Sequence, residues 1–126
     1  MKTLLTILTV FFTVMFSPPS YAEWTKVSEN VERSKIYVDF DRIRKVDGYV
    51  YYWELVDLLK PDKDGDLSYK SYRQGDCKLF RTKYVVASFH KEPMGGGAGD
   101  VDNKPKWKYP PPNSSIEIVL KAVCSR

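Results

Sequence analysis

Two cysteines, Cys77 and Cys124, constrain the fold of this 126-residue chain more than any other feature. They matter because the chain opens as an export signal. Lys2 gives a positive start and Leu4–Phe16 is an uncharged apolar run. Ser17-Pro18-Pro19-Ser20-Tyr21-Ala22 then breaks any helix and ends on the small-x-small pattern that a signal peptidase reads. Cleavage is expected between Ala22 and Glu23, so residues 1–22 read as a signal peptide and 23–126 as a single domain. The alternative, a membrane anchor, needs about 20 apolar residues, which Leu4–Phe16 does not reach. No second apolar stretch follows it, so no membrane span is expected. No cysteine stands beside the cleavage site to carry a lipid. In an oxidising compartment two cysteines allow one intramolecular pairing, and a structural Cys77–Cys124 bridge is the expectation. The competing readings are unbridged thiols or a catalytic thiol, and neither cysteine sits in a Cys-x-x-Cys motif. Such a bridge contributes roughly 4 kcal/mol in chain-entropy terms, a large share of a small domain's stability.

The apolar pattern after residue 23 has mostly period two. Ile36, Val38 and Phe40 alternate with Tyr37 and Asp39, predicting a half-buried strand. Asp41-Arg42-Ile43-Arg44-Lys45 is too polar to continue it, and Asp47-Gly48 marks a turn. Tyr49–Leu59 reads as the strongest strand, with Tyr49, Tyr51, Trp53 and Leu55 on one face and Val50, Tyr52, Val56 and Leu58 on the other. Apolar residues on both faces predict a central strand covered on at least one side. Pro61–Asp66 reads as a hairpin loop. Leu67–Arg73 and Lys78–Phe89 follow as strands, with Gln74-Gly75-Asp76 as a turn or bulge between them, and Trp24–Val27 adds a short edge strand. Prolines and glycines between residues 93 and 113 predict a long wet loop, pinned by Trp107 and Tyr109. Ser114 with Glu117 forms a capping box. Ile116, Val119, Leu120, Val123 and Cys124 then recur at helical spacing. The pattern predicts an α+β domain: an antiparallel meander of about five to six strands, with one C-terminal helix packed on it and disulfide-linked to it.

No constellation for catalysis emerges. His90 is the only histidine, and no residue pattern nominates a partner for it. One histidine and two paired cysteines leave too few ligands for zinc, so no metal is expected. Asp62-x-Asp64-Gly65-Asp66 resembles a calcium loop, but position six would be Leu67 and position twelve Arg73, so it reads as a turn. Gly95–Gly99 lacks the Gly-Lys-Ser/Thr of a phosphate loop and runs into Asp100 and Asp102. No cofactor and no nucleic-acid partner are therefore expected. Asn113-Ser114-Ser115 matches a glycosylation acceptor but coincides with the capping box. The formal net charge of +4 is mild, and Lys2 leaves with the signal peptide. Lys78, Arg81 and Lys83 form the best binding candidate, extended by Lys104, Lys106 and Lys108 with Tyr84 and Trp107 available. Arg81 and Lys83 share one side of a strand, whereas Lys78 has the opposite parity and joins them only through a bulge after Gly75-Asp76. The competing reading of this row is a solvated outer sheet face.

Trp24, Tyr37-Val38-Asp39, Tyr51-Tyr52-Trp53-Glu54-Leu55, Ser71-Tyr72 leading into Asp76-Cys77, and Pro112-Asn113-Ser114-Ser115 opening a helix with Cys124 carry a likeness across nearly the whole mature chain. Together they resemble the surface-adhesin protein E family of bacteria. The resemblance implies a Gram-negative source, a sheet backed by a C-terminal helix, a Cys77–Cys124 bridge and a non-enzymatic role. The founding adhesin binds host matrix proteins such as vitronectin and laminin, so the resemblance implies a host extracellular-matrix protein as partner, while the basic row by itself points to an acidic polysaccharide or a protein. The founding adhesin is a lipoprotein, and this chain lacks the lipid-bearing cysteine; the periplasm and the outer surface both stay open. No short binding motif maps onto it residue by residue. Two other classes remain: a periplasmic structural or inhibitory domain, and a small secreted hydrolase using carboxylates such as Glu54 and Asp57, which would have to converge in one pocket.

Overall fold

The computed structural model describes residues 23–126; the expected signal peptide, residues 1–22, and with it Ala22 of the expected cleavage site, lie outside the described residues. The strands are β1 (Thr25–Glu29), β2 (Lys35–Val38), β3 (Arg44–Val46), β4 (Tyr49–Asp57), β5 (Ser68–Asp76), β6 (Arg81–His90) and β7 (Gly99–Asp102), followed by helix α1 (Ser115–Cys124). They form one antiparallel sheet in the order β1-β2-β4-β5-β6-β7, with β3 paired to β4 off that row. This is the expected α+β meander with a C-terminal helix.

Local chemistry explains where the chain turns. Asp47 and Gly48 have φ of 52° and 82°, the left-handed pair that a two-residue hairpin needs, and they join β3 to β4. Phe40 does not continue β2 as expected. Asp39 caps a 3-10 turn over Phe40–Arg42, its Oδ1 accepting from the Asp41 amide at 3.2 Å and its Oδ2 pairing with Arg42 at 3.3 Å. That turn carries the chain into β3, a strand the polar sequence concealed. Likewise β5 runs on through Gln74-Gly75-Asp76, where a turn or bulge was expected, because each of these residues pairs with both β4 and β6. The segment 93–113 is not wholly irregular either: β7 pairs with β6, and Lys108 bridges Thr82.

The core lies on one face of the sheet. Ile36, Val38, Val50 and Tyr52 pack against Val119, Leu120 and Val123 of α1. Gly75 sits under the helix, where a Cβ would come within 2.8 Å of Val50 Cγ1 and 2.9 Å of Leu120 Cδ1, so glycine sets how closely helix and sheet approach. The helix starts as its capping residues dictate. Ser114 Oγ accepts from the Glu117 amide at 3.1 Å, and the Glu117 carboxylate accepts from the Asn113 amide at 3.3 Å. Ser28 on β1 donates to Ser115 at 3.0 Å, fixing the start of the helix on the sheet. Its other end is held by the Cys77–Cys124 disulfide, with Cα atoms 5.7 Å apart. Among the described residues, no helix is long and apolar enough to cross a membrane.

Candidate binding face

The face away from α1 is set by register. Tyr51 pairs with Gln74 and Gln74 with Lys83; Trp53 pairs with Tyr72 and Tyr72 with Val86. A bulge at Val85 lets Lys83 and Val86 share this face despite opposite parity. Tyr49, Tyr51, Trp53 and Tyr72 therefore stand together, with Arg81 and Lys83 beside them. Tyr51 and Tyr72 lie 6.0 Å apart at 23°, and Trp53 and Tyr72 5.1 Å apart at 42°.

The segment after β7 completes one end. Backbone bonds between Thr82 and Lys108, 2.9 and 2.8 Å, pin the chain to the edge of β6 and place Trp107 over the sheet. Its indole stacks on Tyr49 at 6.3 Å, with the Arg81 guanidinium 4.1 Å and the Lys83 ammonium 4.5 Å from the ring. Arg81 is also held by Asp76 at 3.2 Å. Asp76 Oδ1 accepts from the Leu79 and Lys78 amides at 3.0 and 3.1 Å. The Leu79 bond foremost, then Arg81 and Lys78, keep the Asp76 carboxyl below its usual range against the opposing effect of burial. At the other end of the face, the loop after β6 closes down. Met94 donates to Asp57 at 2.8 Å and Gly95 to Ser68 Oγ at 2.8 Å, beside the fully buried Leu55.

The structure gathers Arg81, Lys83 and Trp107, and it separates the rest of the expected row. β6 begins at Arg81 and not at Lys78, which sits exposed in the 77–80 turn because Asp76 caps that turn. Tyr84 points to the helix side, where its hydroxyl donates to Asp102 at 3.1 Å, and so leaves the group. Lys104 and Lys106 are exposed on the segment leading to Trp107. The Tyr51–Tyr72–Trp53 ladder was missed; the Tyr-x-Tyr-x-Trp alternation was its signal, but Tyr72 joins it only through the β4–β5 register.

Other polar groups are occupied structurally. Glu54 faces the helix side and pairs with Arg73 at 3.3 Å, whereas Asp57 faces the opposite side, so the two carboxylates do not converge. His90 is buried; Nδ1 faces the Gly97 carbonyl at 3.3 Å and so donates, leaving Nε2 to accept from Ser88 Oγ at 2.7 Å. Asp62 folds its loop by accepting from the Asp64 and Asp66 amides, both at 2.9 Å, and from the Tyr69 hydroxyl. Lys91 supplies the cation there, 3.0 Å from Asp66.

An open antiparallel sheet, with a disulfide-held terminal helix on one face and a bare aromatic face on the other, defines the class of domain. Residues 24–125 match the family described as Surface-adhesin protein E, and the chain belongs to that family. It is similar in fold to Haemophilus influenzae protein E in crystal form II, with TM-score 0.64 and 18% identity over 87% of this chain and 94% of that one. Protein E from non-typeable Haemophilus influenzae is also similar, with TM-score 0.59 and 18% identity over 87% of this chain and 82% of that one. No curated protein matches in sequence. Membership of a surface-adhesin family makes this an exported protein.

Proposed function

We propose that the mature chain is a non-enzymatic binding domain of a Gram-negative bacterium that holds an anionic extracellular macromolecule at the Arg81–Lys83–Trp107 cluster. The observation that carries this reading is the pair of cations, Arg81 and Lys83, held against the one Trp107 indole at the rim of an otherwise bare sheet. Charge draws an anionic partner in, and the ring holds it by stacking and packing. Family membership supports a component of the host matrix as that macromolecule, met at the outer surface of the cell. The Glu54–Asp57 arrangement favours no hydrolase, since one carboxylate is paired with Arg73 and the other lies across the sheet.

Retention on immobilised matrix proteins and on heparin, for wild type and for Arg81→Glu with Lys83→Glu, tests the site. Wild type is retained and released as salt rises, because exposed charges are screened over ~8 Å at physiological ionic strength. Unchanged retention of the charge-reversed protein would retire the site.

A further inference from the structure

Resting on that reading, we propose that the bare face takes an acidic polysaccharide laid across the strands. Its sugar rings lie on the Tyr51–Tyr72–Trp53 ladder, and its anionic groups meet Arg44 at one end and Lys83 at the other.

The register builds this track. Arg44 of β3 pairs with Tyr51 of β4, Tyr51 with Gln74 of β5, and Gln74 with Lys83 of β6. The row therefore reads cation, ring, amide, cation across three strand spacings, roughly 14 Å. The neighbouring row adds Trp53 and Tyr72, which join Tyr51 in one contiguous set of half-buried rings. Among the described residues, no carboxylate lies within ion-pairing distance of Arg44 or Lys83. The acids that register places on this face are engaged: Asp76 by Arg81 and two turn amides, Asp57 by the Met94 amide, and Asp39, paired with Trp53, by Arg42 and the Asp41 amide. The track is thus cationic at both ends and offers no free acid to repel a polyanion.

The chemistry of the middle selects the ligand. An aromatic face is electron-rich and attracts the weakly positive C–H face of a sugar ring, while phenol, amide and ammonium groups meet its hydroxyls. A ladder on a sheet surface accepts a repeating chain at any register, as stacking platforms with flanking cations do for other ring-bearing polyanions. A specific peptide would instead call for pockets that seat individual side chains. Export favours acidic polysaccharides as the polyanion such a face meets, since they are abundant in the space outside the cell.

The test uses the exported protein with size-defined heparin and chondroitin sulfate oligosaccharides, read by tryptophan fluorescence and calorimetry. Arg44→Glu and Tyr72→Leu should each weaken binding by about 10-fold, and Tyr72→Phe by no more than about 3-fold. Arg44→Glu should also flatten the salt dependence. If Tyr72→Leu fails to fold, Arg44→Glu, on an exposed strand, decides. Full affinity in Arg44→Glu and Tyr72→Leu, with loss only in the Arg81/Lys83 reversal, would overturn the track while leaving the Trp107 site intact. Retention of matrix protein without any oligosaccharide binding would overturn it too, in favour of a protein partner. Equal affinity for single-stranded oligonucleotides would overturn the sugar assignment. Failure of wild type to hold any of these at low salt would end both readings.

Discussion

Asp76 shows how one side chain organises a site it does not itself occupy. It caps the 77–80 turn and holds Arg81 against Trp107. Because its carboxyl is held below the usual range, its contribution is fully present at neutral pH and is lost as pH falls through the folded-state value. Asp76→Asn should therefore be less stable than wild type at pH 7 and converge with it in strong acid, as denaturant midpoints along a pH series will show. Glu54 has the opposite sign. Burial pushes its carboxyl up, and Arg73 pulls against that. Arg73→Leu strands the charge and should cost about 3 kcal/mol at neutral pH. The cost should shrink toward pH 3, where Glu54 is protonated in both the folded and unfolded chain; urea midpoints at the two pH values decide. Parity alone placed Arg81 and Lys83 on one side. It could not place Tyr72 beside Tyr51, nor add Arg44 to the row, because cross-strand neighbours depend on register.

Elements were legible where their signal was local. The capping box and apolar stripe predicted α1, and alternation predicted β2 and β4. By contrast, β3 is exposed along its whole length and β7 is short and acidic, so neither presents the apolar alternation by which a strand is read. Gly75 looked like a turn, yet it is a strand position facing Leu120. Gly75→Ala should cost about 1–3 kcal/mol by overpacking, measured by thermal unfolding. The disulfide joins an element to the sheet across a sequence separation of 47. Replacing both cysteines with Ser should lower stability by up to about 4 kcal/mol, as read from denaturant unfolding of the oxidised wild type and the variant.

At the scale of the molecule, the two faces divide the labour: one is closed by α1, and the other stays bare between the Trp107 segment and the 91–98 loop. The proposed maturation belongs to this scale as well. Intact mass of the exported protein should give a chain beginning at Glu23 without a lipid; an uncleaved or acylated N-terminus would contradict it. The order of the strands also carries a kinetic consequence. Hairpins join β1 to β2, β3 to β4, β4 to β5, β5 to β6 and β6 to β7, so these pairings close short loops between neighbours in the chain. Only α1 must travel far, from the end of the chain to the first strands. A nascent chain stopped before Ser115 would hold every strand and lack the cover of its own core. The sheet should therefore zip early, and helix docking should set the slow step. Cys124 then reaches Cys77 after the topology is fixed, so oxidation locks a shape already chosen and does not guide the search for it.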